Sequence, residues 1–303
     1  MSLLRSREPP AALRALSADA RWLSALRQRD LCGRVHSVFD RIVNVQDDRG
    51  EMFSLATRNV DDAPNTLIVD VHAFTAIRVH PDDRVTGSAC RLDVANHAVI
   101  ALDHVIAWHP RRLPYPRDAS RLEQNLALAR RHATAAFEHR LEGTAWSASA
   151  RLQRLRTQLC EALSNRDREA ARVHGRALLG LGPGLTPSGD DFLLGLFAVL
   201  HIDGSPCDAR FRGLCTDIVE DLEHRTNAIS AAALTAAAQG RVRETIDTLL
   251  SALMTGDEAT VRRALDRVLR IGSTSGRDIV SGIVAGFDAN LQATESRSVR
   301  VDG

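Results

Sequence analysis

The chain has 303 residues, is 44% hydrophobic and 25% charged, and carries a formal net charge of +1. That length suits about two domains of roughly 100–200 residues each, and the near-zero charge gives no bulk electrostatic drive toward nucleic acid or an anionic membrane. All 39 basic residues are arginine, which excludes a Walker lysine, a Schiff-base lysine and a carbamylated-lysine metal bridge, so a phosphate or carboxylate clamp falls to arginine, backbone N–H or metal.

The opening residues, MSLLRSREPP, lack the apolar core of a signal peptide. No stretch approaches the ~18 uninterrupted apolar residues of a membrane span, so a cytoplasmic location is expected. Leu13, Leu16, Leu23 and Leu26 have helical spacing and predict a short amphipathic helix over 11–26, within an N-terminal extension of residues 1–30. From Gly33 the period changes. GRVHSVFDRIVNV, MFSLATRNV, TLIVDV, TAIRVH and HAVIALDHVIAW read as strands separated by turn clusters such as DDRG and HPDD. VTGSACRLDV reads as a further strand, bent at Gly87. Residues 31–109 are therefore expected to form a mainly antiparallel β domain, open to barrel closure.

Three prolines, Pro110, Pro114 and Pro116, predict a linker over 110–117. Beyond it, residues 118–293 turn rich in alanine and leucine. SRLEQNLALARRHATAAFEHRL, SARLQRLRTQLCEALS, CTDIVEDLEHRTNAISAAALTAAAQ, VRETIDTLLSALM and EATVRRALDRVLRI all show helical periodicity, as in a bundle of seven or more helices. The tail, 294–303, is expected to fray. The fold class expected is α+β.

One segment of the helical half asks for more than packing. In GLGPGLTPSGDDFLLGL, Gly182 and Gly184 flank Pro183 in a tight turn, and Ser188 with Asp191 fits a capping box that opens an apolar helix. A capping box needs one acid, and Asp190 supplies a second. Adjacent carboxylates at a buried helix start cost free energy unless a cation or arginine pairs with them. Asp190 and Asp191 are therefore expected to hold Mg²⁺, with Thr186, Ser188 and Gly189 contacting an oxyanion.

The design recurs 87 residues on. Ser188-Gly189-x-Asp191-x-x-x-Gly195 aligns with Ser275-Gly276-x-Asp278-x-x-x-Gly282. If the two helices cross at Gly195 and Gly282, their N-termini lie side by side and two positive dipole ends share one place. Gly182, Gly184, Ser273, Ser275 and Gly276 join the oxyanion contacts in this reading, Asn227 and Arg277 orient the substrate, and Asp278 joins Asp190, Asp191 and Asn227 as a catalytic candidate. Between the two loops, Thr226 and Ser230 fall on one face of an expected helix beside Asn227, as neutral groups suited to a carbonyl or amide. A plainer account, two capped buried helices crossing at small residues, stands beside the site reading.

GLGPGLTPSGDDFLLG, the TNAIS segment and IGSTSGRDIVSGIVAGF resemble the AllH family, a subunit of bacterial oxamate carbamoyltransferase, and GRVHSVFDRIVNV extends the resemblance into the β half. Ser273 stands where family members often carry histidine. The resemblance implies phosphorolysis of oxalurate to oxamate and carbamoyl phosphate in allantoin degradation. It also implies two partner subunits, one resembling the CoA-binding part of acyl-CoA synthetases. A Mg²⁺-dependent hydrolase with paired aspartates and a non-catalytic scaffold subunit are the alternatives.

Elsewhere the sequence is quiet. Five widely spaced cysteines without a CxxC make neither a disulfide framework nor a zinc ribbon. His36, His72, His80, His97, His104 and His109 are scattered, without HExxH, and read as surface histidines.

Overall fold

The structure is a computed structural model and describes residues 9–134 and 145–298. It divides into two compact units, Met1–His109 and Pro110–Gly303. The opening residues 1–8, the C-terminal part of the first expected long helix (135–144) and the last tail residues (299–303) lie outside the described residues.

The first unit is an eight-stranded barrel with a ninth strand at its rim. Strand β1 (Ala11–Asp19) leads into helix α1 (Ala20–Gln28); then come β2 (Leu31–Val38), β3 (Ile42–Asp47), β4 (Met52–Thr57) and β5 (Thr66–Val69). After them follow β6 (Arg84–Gly87), β7 (Arg91–Val94), β8 (Ala98–Ala101) and β9 (Ile106–Trp108). The hydrogen-bonded order is β5-β4-β3-β2-β6-β7-β8-β1, and β1 returns to β5 to close the ring. Most neighbours are antiparallel; β1–β8, β1–β9 and β4–β5 are parallel. Val35, Val43, Leu55, Leu67, Val85, Leu92 and Ile100 fill the interior. Closure leaves no open edge among the eight strands.

Three local expectations change here. The helix expected over 11–26 is a strand up to Asp19 and a helix only from Ala20. Leu13 and Leu16 fit helical spacing, but β1 satisfies its backbone against both β8 and β5, and that pairing overrides local pattern. Helix α1 then buries Trp22, Leu23 and Leu26, with Asp19 capping the Arg21 N–H at 3.0 Å. TAIRVH is not a strand but a 3-10 turn, Phe74–Ile77, whose i and i+3 residues are both buried. VTGSACRLDV is a hairpin of β6 and β7, with the reversal just after Gly87.

The second unit is helical: α2 (Ser120–Thr134), α3 (Ala145–Ser164), α4 (Arg168–Leu178), α5 (Ser188–Leu200), α6 (Asp208–Ile218), α7 (Ala228–Ala237), α8 (Glu244–Thr255), α9 (Glu258–Leu269) and α10 (Ser275–Ser298). Helix α10 takes in the first five residues, 294–298, of the tail expected to fray. Helix α5 lies at the centre, buried on every face except at Leu194. A helix apolar all round has to be wrapped by others, and each fully buried Phe or Leu on it contributes about 1.5–3 kcal/mol. The segment 110–117, expected as a linker, is held on this unit: the Tyr115 N–H donates to the Asp203 carbonyl at 2.9 Å, and Leu113 packs against the helical core. The long helix expected from Cys215 to Gln239 is broken. Asp221 is left-handed at φ 58°, a 3-10 turn follows at Leu222–His224, and α7 starts afresh after Asn227.

Two parts of this unit are built alike. Asp167 and Asp257 each cap a helix, α4 or α9, through the N–H three residues on, at 2.9 and 2.8 Å. Each helix ends in a turn with a left-handed glycine, Gly182 (φ 122°) or Gly272 (φ 57°). In each, the N–H of the following Ser-Gly glycine returns to a carbonyl just before that turn: Gly189 to Leu181 at 2.8 Å, Gly276 to Ile271 at 3.0 Å. The second helices, α5 and α10, then cross where both lack side chains. A methyl at Gly195 would collide with the Ile279 carbonyl, and one at Gly282 with the Phe192 carbonyl. The contacts are reciprocal, and a bond from Thr186, just before α5, to Ser275, the first residue of α10, sets the two helices to start at the same end.

Candidate functional site

The shared end of α5 and α10 gathers hydroxyls and carboxyls. Thr186 Oγ1 lies 2.7 Å from Ser275 Oγ, joining the two loops across 89 positions of sequence. Asp191 lies beneath them, 5% exposed. Its Oδ2 is buried with no hydrogen-bond partner. Burial pushes this carboxyl up to about 7; the Ser275 and Thr186 hydroxyls pull it back in part, while the charges of Asp278 and Asp190 push it further.

Asp190 has a different setting. Its Oδ1 accepts the Gly180 N–H at 2.8 Å and its Oδ2 accepts the Thr226 hydroxyl. Burial raises its pKa, and the bonds from Thr226 and Gly180 oppose that rise. Asp190 therefore ties the turn at Gly180 to the segment before α7. Of the two aspartates, Asp190 has both oxygens engaged by these donors, whereas Asp191 keeps one oxygen without a hydrogen-bond partner.

The remaining expected residues separate into those brought to the cluster and those kept from it. Ser188 is buried at the start of α5, but it is not half of a capping box; the Asp190 and Asp191 N–H groups both donate to the Pro187 carbonyl. The N–H groups of Gly189, Gly276, Arg277 and Asp278 are likewise taken by backbone carbonyls. The oxyanion contacts expected from Gly189 and Gly276 are thus already used within the chain. Thr226 and Ser230 do not share a helix face, because α7 begins only at Ala228. Asn227 is the N-cap of α7, its Oδ1 accepting the Ile229 and Ser230 N–H groups and its Nδ2 donating to the Leu185 carbonyl at 2.7 Å. Asn227 thereby holds the Gly182–Thr186 loop in place. Ser273, Gly184 and Arg277 are exposed.

Asp278 introduces a residue the sequence reading missed. Arg156 of α3 is 4% exposed; its guanidinium donates to Asp278 Oδ1 at 2.7 Å and to the Ser188 carbonyl at 2.8 Å. It also lies over the Phe192 ring at 4.9 Å. One cation thereby bridges the starts of both central helices and neutralises Asp278. The signal was present: Arg156 falls on the stripe of Leu152, Leu159 and Leu163, at core positions of α3. On its other side opens a groove of about 430 Å³, lined by Gln153, Arg156, Thr157, Phe192, Ser281 and Asp288 among others.

A closed β barrel, and a helical unit whose two central helices begin at one buried carboxyl–hydroxyl cluster, define an α+β protein with a candidate site for a small polar ligand. Residues 178–287 match the family described as oxamate carbamoyltransferase subunit AllH, and residues 14–107 match the AllH family N-terminal domain. The chain belongs to the AllH family, that of a carbamoyltransferase subunit. No solved structure matches it. No helix among the described residues is long and apolar enough to cross a membrane.

Proposed function

We propose that this chain is a carbamoyltransferase subunit that handles oxalurate, oxamate and carbamoyl phosphate at the shared start of α5 and α10, together with partner subunits, in ureide (allantoin) degradation. The observation that carries the reading is the buried Asp191 oxygen left without a partner beside the joined hydroxyls of Thr186 and Ser275. An unpaired buried oxygen costs about 1–3 kcal/mol, a cost that a bound ligand offsets.

In the reaction a phosphate oxygen attacks the ureido carbonyl of oxalurate and the carbon–nitrogen bond breaks. Carbamoyl phosphate forms, and oxamate leaves with the bonding pair and takes a proton on nitrogen. A carboxyl titrating near 7 is present in both forms at neutral pH, as a general acid requires. Asp191 is assigned that proton. The Thr186 and Ser275 hydroxyls are assigned hydrogen bonds to ligand oxygens, and Arg156 keeps Asp278 neutralised so that its charge does not oppose an anion.

Mg²⁺ fits this donor set only through Asp191, since Asp190 and Asp278 are engaged. Mg²⁺ commonly takes one or two carboxylates, water and substrate phosphate, and when bound it would supply charge neutralisation of phosphate. Its binding displaces the Asp191 proton, so the two roles exclude each other. Thermal stabilisation of the isolated chain by carbamoyl phosphate, measured from pH 5.5 to 8.5 with and without Mg²⁺, tests the reading. Stabilisation lost in Asp191→Asn and in Ser275→Ala is the expected result. Equal stabilisation of parent and both variants places the ligand elsewhere and ends the proposal. Turnover of oxalurate with phosphate by the chain plus its partner subunits separates an active subunit from a scaffold.

A further inference from the structure

The barrel unit brings two of the scattered histidines together, an arrangement independent of the helical site. His80 and Asp83 lie on the turn between the Phe74–Ile77 segment and β6; His97 lies on the turn between β7 and β8. Pairing of β6 with β7 sets the two turns side by side. The donor atoms of these three side chains all fall within 4.8 Å of one another. Asp83 Oδ2 is 3.4 Å from His97 Nε2 and 4.0 Å from His80 Nδ1. The rings of His80 and His97 approach at 5.8 Å between centroids.

The backbone holds this arrangement. The His80 N–H donates to Asp83 Oδ2 at 2.8 Å, the Asp82 N–H to the Val35 carbonyl at 2.8 Å, and the His97 N–H to the Val94 carbonyl at 3.0 Å. Asp82 and Ala95, one in each turn, both take left-handed backbone angles, at φ 69° and 45°. Arg34 donates to the neighbouring Asp82 carbonyl at 3.0 Å.

We propose that His80, Asp83 and His97 bind one divalent transition ion of the zinc class through His80 Nδ1, an Asp83 carboxylate oxygen and His97 Nε2. A tetrahedral ion with bonds of about 2.0–2.1 Å to nitrogen holds its ligands about 3.4 Å apart; Asp83 Oδ2 and His97 Nε2 already stand at that separation, and the exposed His80, 4.0 Å from Asp83, has to close in by a small side-chain rotation. Two imidazoles among three ligands select Zn²⁺, Co²⁺, Ni²⁺ or Cu²⁺ over Mg²⁺ and Ca²⁺, which prefer oxygen. His80 is exposed and the other two are half-buried, so an ion enters from solvent and keeps a fourth position open to water or a ligand from another molecule. The ion cross-links two turns of the barrel.

Cobalt titration of the full chain, free of any histidine tag and stripped with chelator, tests this. The expected result is one equivalent of Co²⁺ with visible absorption of a four-coordinate ion. His97→Gln and Asp83→Asn each weaken it at least about tenfold, given that loss of an outer-shell partner alone costs roughly 10–100-fold. His104→Gln, outside the cluster, leaves it unchanged. X-ray absorption of the parent loaded with Co²⁺ needs no variant and should report two imidazole ligands. Absence of binding at micromolar Co²⁺, binding that survives in the His80→Gln/His97→Gln double variant, or an all-oxygen ligand shell overturns the proposal.

Discussion

Gly195 and Gly282 face each other's helices at one crossing: Gly195 sits against Ile279 and Ile283, and Gly282 against Phe192 and Leu196. A methyl at either position meets the opposite backbone, which no rotamer change relieves. Gly282→Ala is therefore expected to lose about 1–3 kcal/mol or more, despite a gain of about 1 kcal/mol in helix propensity. Urea unfolding of the parent and variant measures it. Gly213→Ala is the control, since Gly213 is exposed on α6 and its nearest neighbour is the flexible end of Arg168. It should gain about 0.5–1 kcal/mol.

Asp191 makes stability depend on pH in a stated direction. Its folded-state pKa, about 7, lies above the ordinary value of 3.8, so the folded chain binds the proton more tightly than the unfolded one. Stability falls as pH rises from about 4 to 7. Asp191→Asn removes that loss. The variant should be more stable than the parent at pH 8, by at most about 4 kcal/mol, and should match it near pH 4. Asp247, buried and also pushed up to about 7, contributes the same sign in both proteins, so the difference between the two melting curves isolates Asp191. A variant less stable than the parent at pH 8 contradicts the account.

Asp190→Asn should behave oppositely to Asp191→Asn. Asp190 accepts two bonds, from the Gly180 N–H and the Thr226 hydroxyl. An amide puts an NH₂ against one of those donors, and a cost of about 1–3 kcal/mol follows. Because the anchored turn leads into the Gly182–Thr186 loop, proteolysis within that loop should also quicken. Unaltered melting and unaltered cleavage would show that Asp190 does not hold the loop.

Arg156→Met leaves Asp278 without its cation and the Ser188 carbonyl without its donor. Breaking a buried pair from one side costs about 3–5 kcal/mol. Removing both partners, as Arg156→Met with Asp278→Leu, should recover part of that loss, and a double-mutant cycle reads the coupling directly. Additive losses would mean that the pair is not coupled.

Much of the architecture was readable from residues alone. Strand alternation from Gly33 and the helical periods beyond Pro116 carry fold class because each pattern is buried on one face. The Ser-Gly-x-Asp echo with Gly195 and Gly282 marked the crossing of α5 and α10, since a glycine in an apolar helix costs free energy without a packing reason. The site was harder to read. Asp190 and Asn227 have the composition of ligand-binding groups, yet each bonds to a distant loop, Asp190 to Gly180 and Thr226 and Asn227 to Leu185, contacts that no local spacing encodes. Arg156 was legible as a cation on a core stripe, but its partners at Ser188 and Asp278 come from two other helices. His80 and His97 read as scattered because strand pairing, not sequence distance, places their turns together.

Helix α10 completes the sheath around α5, and its glycine follows that of α5 by 87 residues. During translation at about 5–20 residues per second, that interval lasts about 4–17 s. Throughout it, an apolar helix built for full burial has emerged from the ribosome without the surface that covers it. A shortened chain that stops before Ser275 would never acquire that cover, so nonsense products of this kind are natural clients for chaperones and proteases.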